Sequence, residues 1–293
     1  MPATAADLVA RLDLETIEVD IFRGQSPQNS WRRVFGGQVI AQALVAASRT
    51  VEGRAPHSLH GYFILPGDPL VPIVFEVDRI RDGKSFTTRR VNAIQHGKAI
   101  FSLSASFQVD ELGLDHWFPA PEAPDPDSLP DPLDLAQRAG EQARQRALGF
   151  IERIRPIEIR PIDLSRYAPG AGGAPRAATQ SVWIRIAGRL PDDPAIHRAA
   201  LAFLSDMTLL ETALGAHGFS VSDPQFQVAS LDHALWFHRP CRVDEWLLYA
   251  QDSPNAVGSR GLTRGLLYSR AGMLIASVAQ EGLIRRRRDV ATP

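Results

Sequence analysis

The chain has 293 residues, 44% hydrophobic and 22% charged, with a formal net charge of −1. That balance describes a globular protein with enough apolar material for a sizeable core, and the length suggests two domains. It excludes an overall basic field able to gather nucleic acid or anionic lipid, and the single cysteine, Cys241, excludes internal disulfides and thiolate metal clusters.

The first residues, MPATAADLVARLDLETIEVDI, lack the basic and apolar regions of a secretory signal. LETIEVDIFRG (14–24) alternates Ile17, Val19 and Ile21 against polar partners, which predicts one half-buried strand. FGGQVIAQALVAASRTV (35–51) carries Val39, Ile40, Leu44 and Ala47 at helical spacing without proline, so it reads as one buried helix. VPIVFEVDRI (71–80) and SFTTRRVNAI (85–94) flank Asp82-Gly83 as a hairpin, and AIFSLSASFQ (99–108) follows Gly97 as a further strand.

HWFPAPEAPDPDSLPDPLDL (116–135) is rich in proline and acid and reads as a linker, with a polar helix following over 135–153. Then the first pattern returns. PIEIRPIDL (156–164) and QSVWIRIAG (180–188) read as strands, 195–216 as a helix, and SLDHALWF, EWLLYAQDS, GLTRGLLYS and MLIASVAQEG as strands. No apolar run approaches the ~18 residues that span a bilayer. Arg285–Arg288 is the one strongly basic run, either a solvated tail or a contact for a phosphorylated ligand.

Ser58-Leu59-His60 answers Ser230-Leu231-Asp232 at an offset of 172, and Gly97 answers Gly272 at 175. The order strand, helix, strands thus occurs twice, which implies a duplicated domain with an α+β pattern in which the sheet wraps each helix. The expected boundaries are 1–115, a connecting segment over 116–155, and 156–293.

QVASLDHALWFHRP (227–240) crowds Ser230, Asp232, His233 and His238 together. On one continuous strand, Ser230 and Asp232 share a face about 7 Å apart and His233 faces away, so these neighbours cannot form a hydrolase triad. No G-x-S-x-G elbow exists elsewhere. DGKS (82–85) lacks the first glycine of a P-loop, and His57 and His60 have no third metal ligand nearby.

In LAFLSDMTLLETALGAHG (201–218), Asp206 interrupts an apolar face, which is expensive unless the carboxylate has partners or caps a helix. In LIASVAQEG (274–282), Gln280 follows small residues and would lie beside the helix if the sheet wraps it, as a satisfied core amide or a functional one.

The runs VFGGQVIAQAL, HSLHGYFILPGD, DGKSFTTRRVNAIQHGKAIFSLSASFQ, LAFLSDMTLL, SLDHALWFHRP and VAQEGLIR resemble the acyl-CoA thioesterase II (TesB-type) family over nearly the whole chain. The resemblance implies a double hotdog: two antiparallel sheets, each wrapped around a long helix and joined in one chain. It implies hydrolysis of fatty acyl-CoA, no cofactor or metal, an acyl-CoA substrate as partner, and a homo-oligomer. Its catalytic groups fall on Asp206, Ser230 and Gln280, with serine where the family usually has threonine.

A thioester fits that set. Its thiolate leaves readily, with a pKa near ~8.5, so no histidine acid is required. Asp206 would take a proton from water, while Ser230 and Gln280 hold that water, and the histidines are expected to be bystanders. The alternatives are a hotdog enoyl-CoA hydratase, drafting His217 or His233 beside an aspartate, and a non-catalytic acyl-CoA-binding protein. A reducing, cytoplasmic setting is expected, and the last residues are not the S-K-L of a peroxisomal address.

Overall fold

A computed structural model describes residues 3–26, 33–138, 141–163 and 173–287. The chain opens with α1 (Ala5–Leu12), capped by Thr4 and Asp7, which accept each other's backbone N–H. The expected strand at 14–24 is instead a hairpin, β1 (Glu15–Glu18) and β2 (Ile21–Gly24). Asp20 reverses the chain with φ 61°, a conformation aspartate tolerates, and its carboxylate is held by Arg79 at 2.9 Å. The alternation of Ile17, Val19 and Ile21 therefore straddles a turn, and Val19 is exposed.

α2 (Gly36–Ser48) matches the expected buried helix. β3 (Ala55–Phe63), β4 (Ile73–Asp82), β5 (Phe86–Gln95) and β6 (Lys98–Gln108) pair antiparallel. His96 and Gly97 join β5 to β6, both at positive φ, as a tight two-residue hairpin needs.

The segment 116–135 is more than a linker. It lies against the outer face of the second half, where Ala120, Ala123 and Leu129 cover Trp183, Trp246 and Leu248. Trp183 Nε1 donates to Pro124 O at 2.9 Å, and Arg270 pairs with Asp125 and Asp127. Its prolines and acids suit an extended strap satisfied by side chains. The polar helix beyond it is two pieces, α3 (Pro132–Arg138) and α4 (Glu141–Ile154).

β7 (Ile157–Pro161), β8 (Thr179–Ile186), β9 (Phe226–Ser230), β10 (Asp232–Phe237), β11 (Leu247–Val257), β12 (Arg260–Ser269) and β13 (Leu274–Arg286) form the second half. The expected helix over 195–216 is broken into α5 (Pro194–Ser205) and α6 (Leu209–Gly215).

All strands join one antiparallel sheet in the order β1-β2-β4-β5-β6-β3-β10-β13-β12-β11-β8-β7, with β9 also on β13. The seam between halves is β3 against β10, where Leu59 lies opposite Leu235. α2 and α5 pack against each other on the inner face, with Phe35 and Phe203 edge to face at 5.3 Å. One apolar core thus runs through both halves.

The turn glycines Gly97 and Gly272, both at positive φ, bear out that pair of the repeat. Matching the ladders from these turns, and extending the β10–β13 register one rung beyond Ala234–Ala279, sets Leu59 opposite Ala105 in the first half against His233 and Gln280 in the second. On that register Ser58 corresponds to Asp232, so the expected match of Ser58 with Ser230 slips by two residues.

Candidate active site

Asp206 stands at the break between α5 and α6. Thr208 closes the break at φ 67°, a strained choice for a β-branched residue. Two amides hold it there, Gln251 buried and Gln180 half-buried. Gln251 Nε2 donates to Thr208 Oγ1 at 2.7 Å and to Met207 O at 3.3 Å, and Gln180 Nε2 donates to Thr208 O at 3.1 Å. Tyr249 donates to Ser205 O at 2.7 Å. The clamp turns the Asp206 carboxylate toward the first half of the chain.

There it meets the start of α2. Phe35, at the N-cap, carries no hydrogen-bonding side chain, and the Gly37 N–H donates to Asp206 Oδ2 at 2.9 Å. Asp206 therefore serves as a helix cap, for α2 of the other half, where the helix dipole favours a negative charge. Glycines make the approach feasible. A Cβ on Gly36 would come within 2.6 Å of Asp206 Oδ2, and one on Gly37 within 2.2 Å of Phe203 O.

Ser230 and Gln280 converge on the same carboxylate. Gln280 Nε2 donates to Ser230 Oγ at 3.0 Å, and Ser230 Oγ lies 3.4 Å from Asp206 Oδ1. Asp206 keeps a partial opening to the surface, but protein atoms crowd its carboxylate. That desolvation pushes its pKa up to about 7, against the lowering effect of the bonds from Gly37, Gln280 and Ser230. An aspartate so tuned exchanges a proton near neutrality.

The sequence expectation for His233 is corrected here. β10 pairs Ala234 with Ala279, whereas β9 pairs Ser230 with Gly282, so the strand carries one residue more than β13 between these rungs. This bulge resets the alternation at Leu231 and turns Ser230 and His233 to the same inner face. His233 is no bystander in contact terms: its Nδ1 lies 2.6 Å from Gln280 Oε1 and its Nε2 lies 2.9 Å from Ser205 Oγ. Burial pushes its pKa down to about 4, outweighing the Gln280 bond, so the ring is neutral. The other tempting histidines lie elsewhere. His238 bonds Ser277 on the outer face, His57 bonds Ser106, and His217 is exposed.

Sequence reasoning missed His233, Ser205, Gly37 and Gln251. The glycine pair before an apolar helix was the available signal for Gly37. Nothing local signalled the rest.

A curved antiparallel sheet packed on buried helices, with an acid at a helix start, defines a hotdog-fold protein. The chain matches the solved hot dog protein of Alicyclobacillus acidocaldarius with a TM-score of 0.72 at 19% identity, over 96% of this chain and 98% of that one. Residues 155–283 match the family described as acyl-CoA thioesterase, and residues 25–108 its N-terminal domain. The acyl-CoA thioesterase 2 of Haemophilus influenzae is 39% identical over 95% of this chain and 97% of its own. The crystal structure of an acyl-CoA thioesterase II TesB2 from Mycobacterium marinum is 44% identical over 97% of this chain and all of that one, with a TM-score of 0.78. The chain belongs to the acyl-CoA thioesterase family.

Proposed function

We propose that this acyl-CoA thioesterase works by direct attack of a water molecule that Asp206 activates, with no covalent acyl-enzyme. The observation that carries it is the Asp206 carboxylate, desolvated to a pKa near 7 on a half-buried residue and bonded to Ser230 and Gln280. Ionised Asp206 takes a proton from water, and the oxygen adds to the thioester carbonyl. Collapse of the tetrahedral adduct breaks the C–S bond and gives carboxylic acid and the CoA thiolate, which is protonated from Asp206 or solvent. Ser230 and the Gln280 amide hold and orient the water. A thiolate leaving group needs little acid assistance, in keeping with a site in which neither nitrogen of His233 faces the carboxylate.

The same fact weighs against an enoyl-CoA hydratase, which needs an aspartate and a histidine on one substrate. A non-catalytic acyl-CoA binder would have no use for a carboxylate tuned this far. We read the architecture as a double hotdog, with an N-terminal unit over 1–115, a connecting segment over 116–155, and a C-terminal unit over 156–293 that supplies all three side chains. Ala105, standing where Gln280 stands in the second unit, supports one site per chain. We also read the enzyme as a cytoplasmic homo-oligomer acting on fatty acyl-CoA. Among the described residues no helix is long and apolar enough to cross a membrane.

The test is thiol release from saturated acyl-CoA across chain lengths and pH. We expect kcat to fall on the acid side with an apparent pKa near 7, and this limb to vanish in Asp206→Asn together with most of the activity. An Asn variant with wild-type turnover overturns the assignment, and a light-scattering mass near 32 kDa overturns the oligomer.

A further inference from the structure

His233 and Ser205 are buried polar residues that the hydrolytic scheme leaves unused. His233 is 1% exposed and Ser205 0%, so neither can touch substrate. At the corresponding rung of the first half, Leu59 and Ala105 fill the core with apolar groups. The fold can be built without an imidazole–amide pair there, and burying one costs free energy unless each polar atom is matched.

Each atom is matched, and the matching has a direction. A glutamine amide can be turned either way, and its partners decide which. Gln280 Oε1 faces His233 Nδ1 at 2.6 Å and can only accept, so Nδ1 carries the hydrogen. The neutral ring then accepts at Nε2 from the Ser205 hydroxyl, whose other acceptor is Ala202 O at 3.0 Å. On its other side Gln280 Nε2 donates to Ser230 Oγ, which leaves the Ser230 hydrogen for Asp206 Oδ1. Were the amide reversed, Gln280 Oε1 and Asp206 Oδ1 would compete for the one Ser230 hydrogen. An ionised Asp206, which has only acceptors to offer, therefore selects the observed order.

We propose that His233 is a positioning residue for hydrolysis: its Nδ1–H fixes the Gln280 amide so that NH₂ faces Ser230 and the water. This inference rests on the reading of Asp206, Ser230 and Gln280 given above. The chain Ser205, His233, Gln280, Ser230, Asp206 donates in one direction from the core to the carboxylate. His233 holds the proton of a tautomer and transfers none.

The arrangement also dictates what happens when the carboxylate is replaced. In Asp206→Asn the Gly37 N–H demands an oxygen, so the new amide NH₂ must face Ser230. Ser230 then donates to Gln280 Oε1, Gln280 Nε2 donates to His233 Nδ1, and the ring carries its hydrogen on Nε2 toward Ser205, which donates to Ala202 O at 3.0 Å. The whole chain reverses.

The experiment is nitrogen NMR of the full-length protein labelled with 15N-histidine, with His233 assigned by its loss in His233→Asn. At pH 8 we expect the Nδ1–H tautomer in the wild type and the Nε2–H tautomer in Asp206→Asn. An Nε2–H tautomer in the wild type, or the same tautomer in both, overturns the proposal. Kinetics give the second arm. His233→Leu, which copies Leu59, should lower kcat roughly 10- to 100-fold with KM within about twofold, as misplacing a catalytic group does. His233→Asn, whose amide restores a donor near Nδ1, should recover most of that loss. In a Gln280→Ala background, His233→Leu should cost nothing further; an equal loss there means His233 acts by another route. If His233→Leu does not fold, the Asn variant and the tautomer decide. If Gln280→Ala alone keeps full turnover, the catalytic reading of Gln280 fails, and the tautomer result still judges the hydrogen-bond chain by itself.

Discussion

The Gly37 N–H and Asp206 Oδ2 meet at 2.9 Å across 169 positions of sequence. One half of the chain supplies the helix start and the other supplies the acid, so the proposed site draws on both. This explains why the two central helices pack directly on each other. The contact is a cap for α2 and an electrostatic setting for the carboxylate at once.

That contact leaves no room for a methyl group. Gly37→Ala places a Cβ 2.2 Å from Phe203 O, a backbone atom that cannot turn aside. Helices α2 and α5 must separate, and we expect a loss of about 1–3 kcal/mol in stability with a larger fall in kcat. Chemical denaturation and thiol release on the same sample check it. A fully active, fully stable Ala variant means the approach is looser than described.

Ser230 tests whether serine can stand for the threonine that the family resemblance implies. Ser230→Ala removes the hydroxyl between Gln280 Nε2 and Asp206 Oδ1 and should slow hydrolysis, whereas Ser230→Thr keeps the hydroxyl and should not. Equal rates for Ala and wild type would reduce Ser230 to a strand residue.

The strained break that carries Asp206 rests on Gln251. Gln251→Leu removes the donor to Thr208 Oγ1 and Met207 O and the acceptor of the buried Thr212 hydroxyl, at about 1–3 kcal/mol for lost buried hydrogen bonds. Because the break also aims the carboxylate, kcat should drop more than KM rises. A variant that loses stability but keeps kcat would show that the backbone of 206–208 holds itself.

The repeated strand and helix pattern, the helix at 35–51 and the motifs around Asp206, Ser230 and Gln280 were legible because periodicity and local motif spacing are properties of neighbouring residues. The reversal at Asp20 was not, because the apolar alternation ran straight through it. The break at Asp206 was hidden because residues 201–216 suit a helix locally, and the clamp by Gln180 and Gln251 comes from distant strands. The parity error at His233 has a similar origin. One extra residue against β13 inverts every face upstream, and only the pairing partner reveals it.

Asp206 and His233 also make opposed contributions to stability as pH changes. The folded pKa of Asp206 is about 7 against an ordinary 3.8, so the fold binds a proton that the unfolded chain releases. Its contribution is greatest at low pH and is lost as pH rises from about 4 through 7. The folded pKa of His233 is about 4 against 6.5, so the unfolded chain binds the extra proton. Its contribution is present above 6.5 and is lost as pH falls toward 4. Over that shared window the two slopes oppose each other. Asp206→Asn removes one slope. We expect this variant to be more stable than the wild type at pH 8 by on the order of a few kcal/mol, since it no longer buries a charge. The advantage should shrink steadily toward pH 5, while thiol release stays lower by roughly 10² to 10⁴. As a cap alone, asparagine serves as well as aspartate, and both effects would be absent. Denaturation curves of both proteins at pH 5, 6.5 and 8 decide it: a constant difference in stability means that Asp206 is not the buried, proton-exchanging acid the site requires.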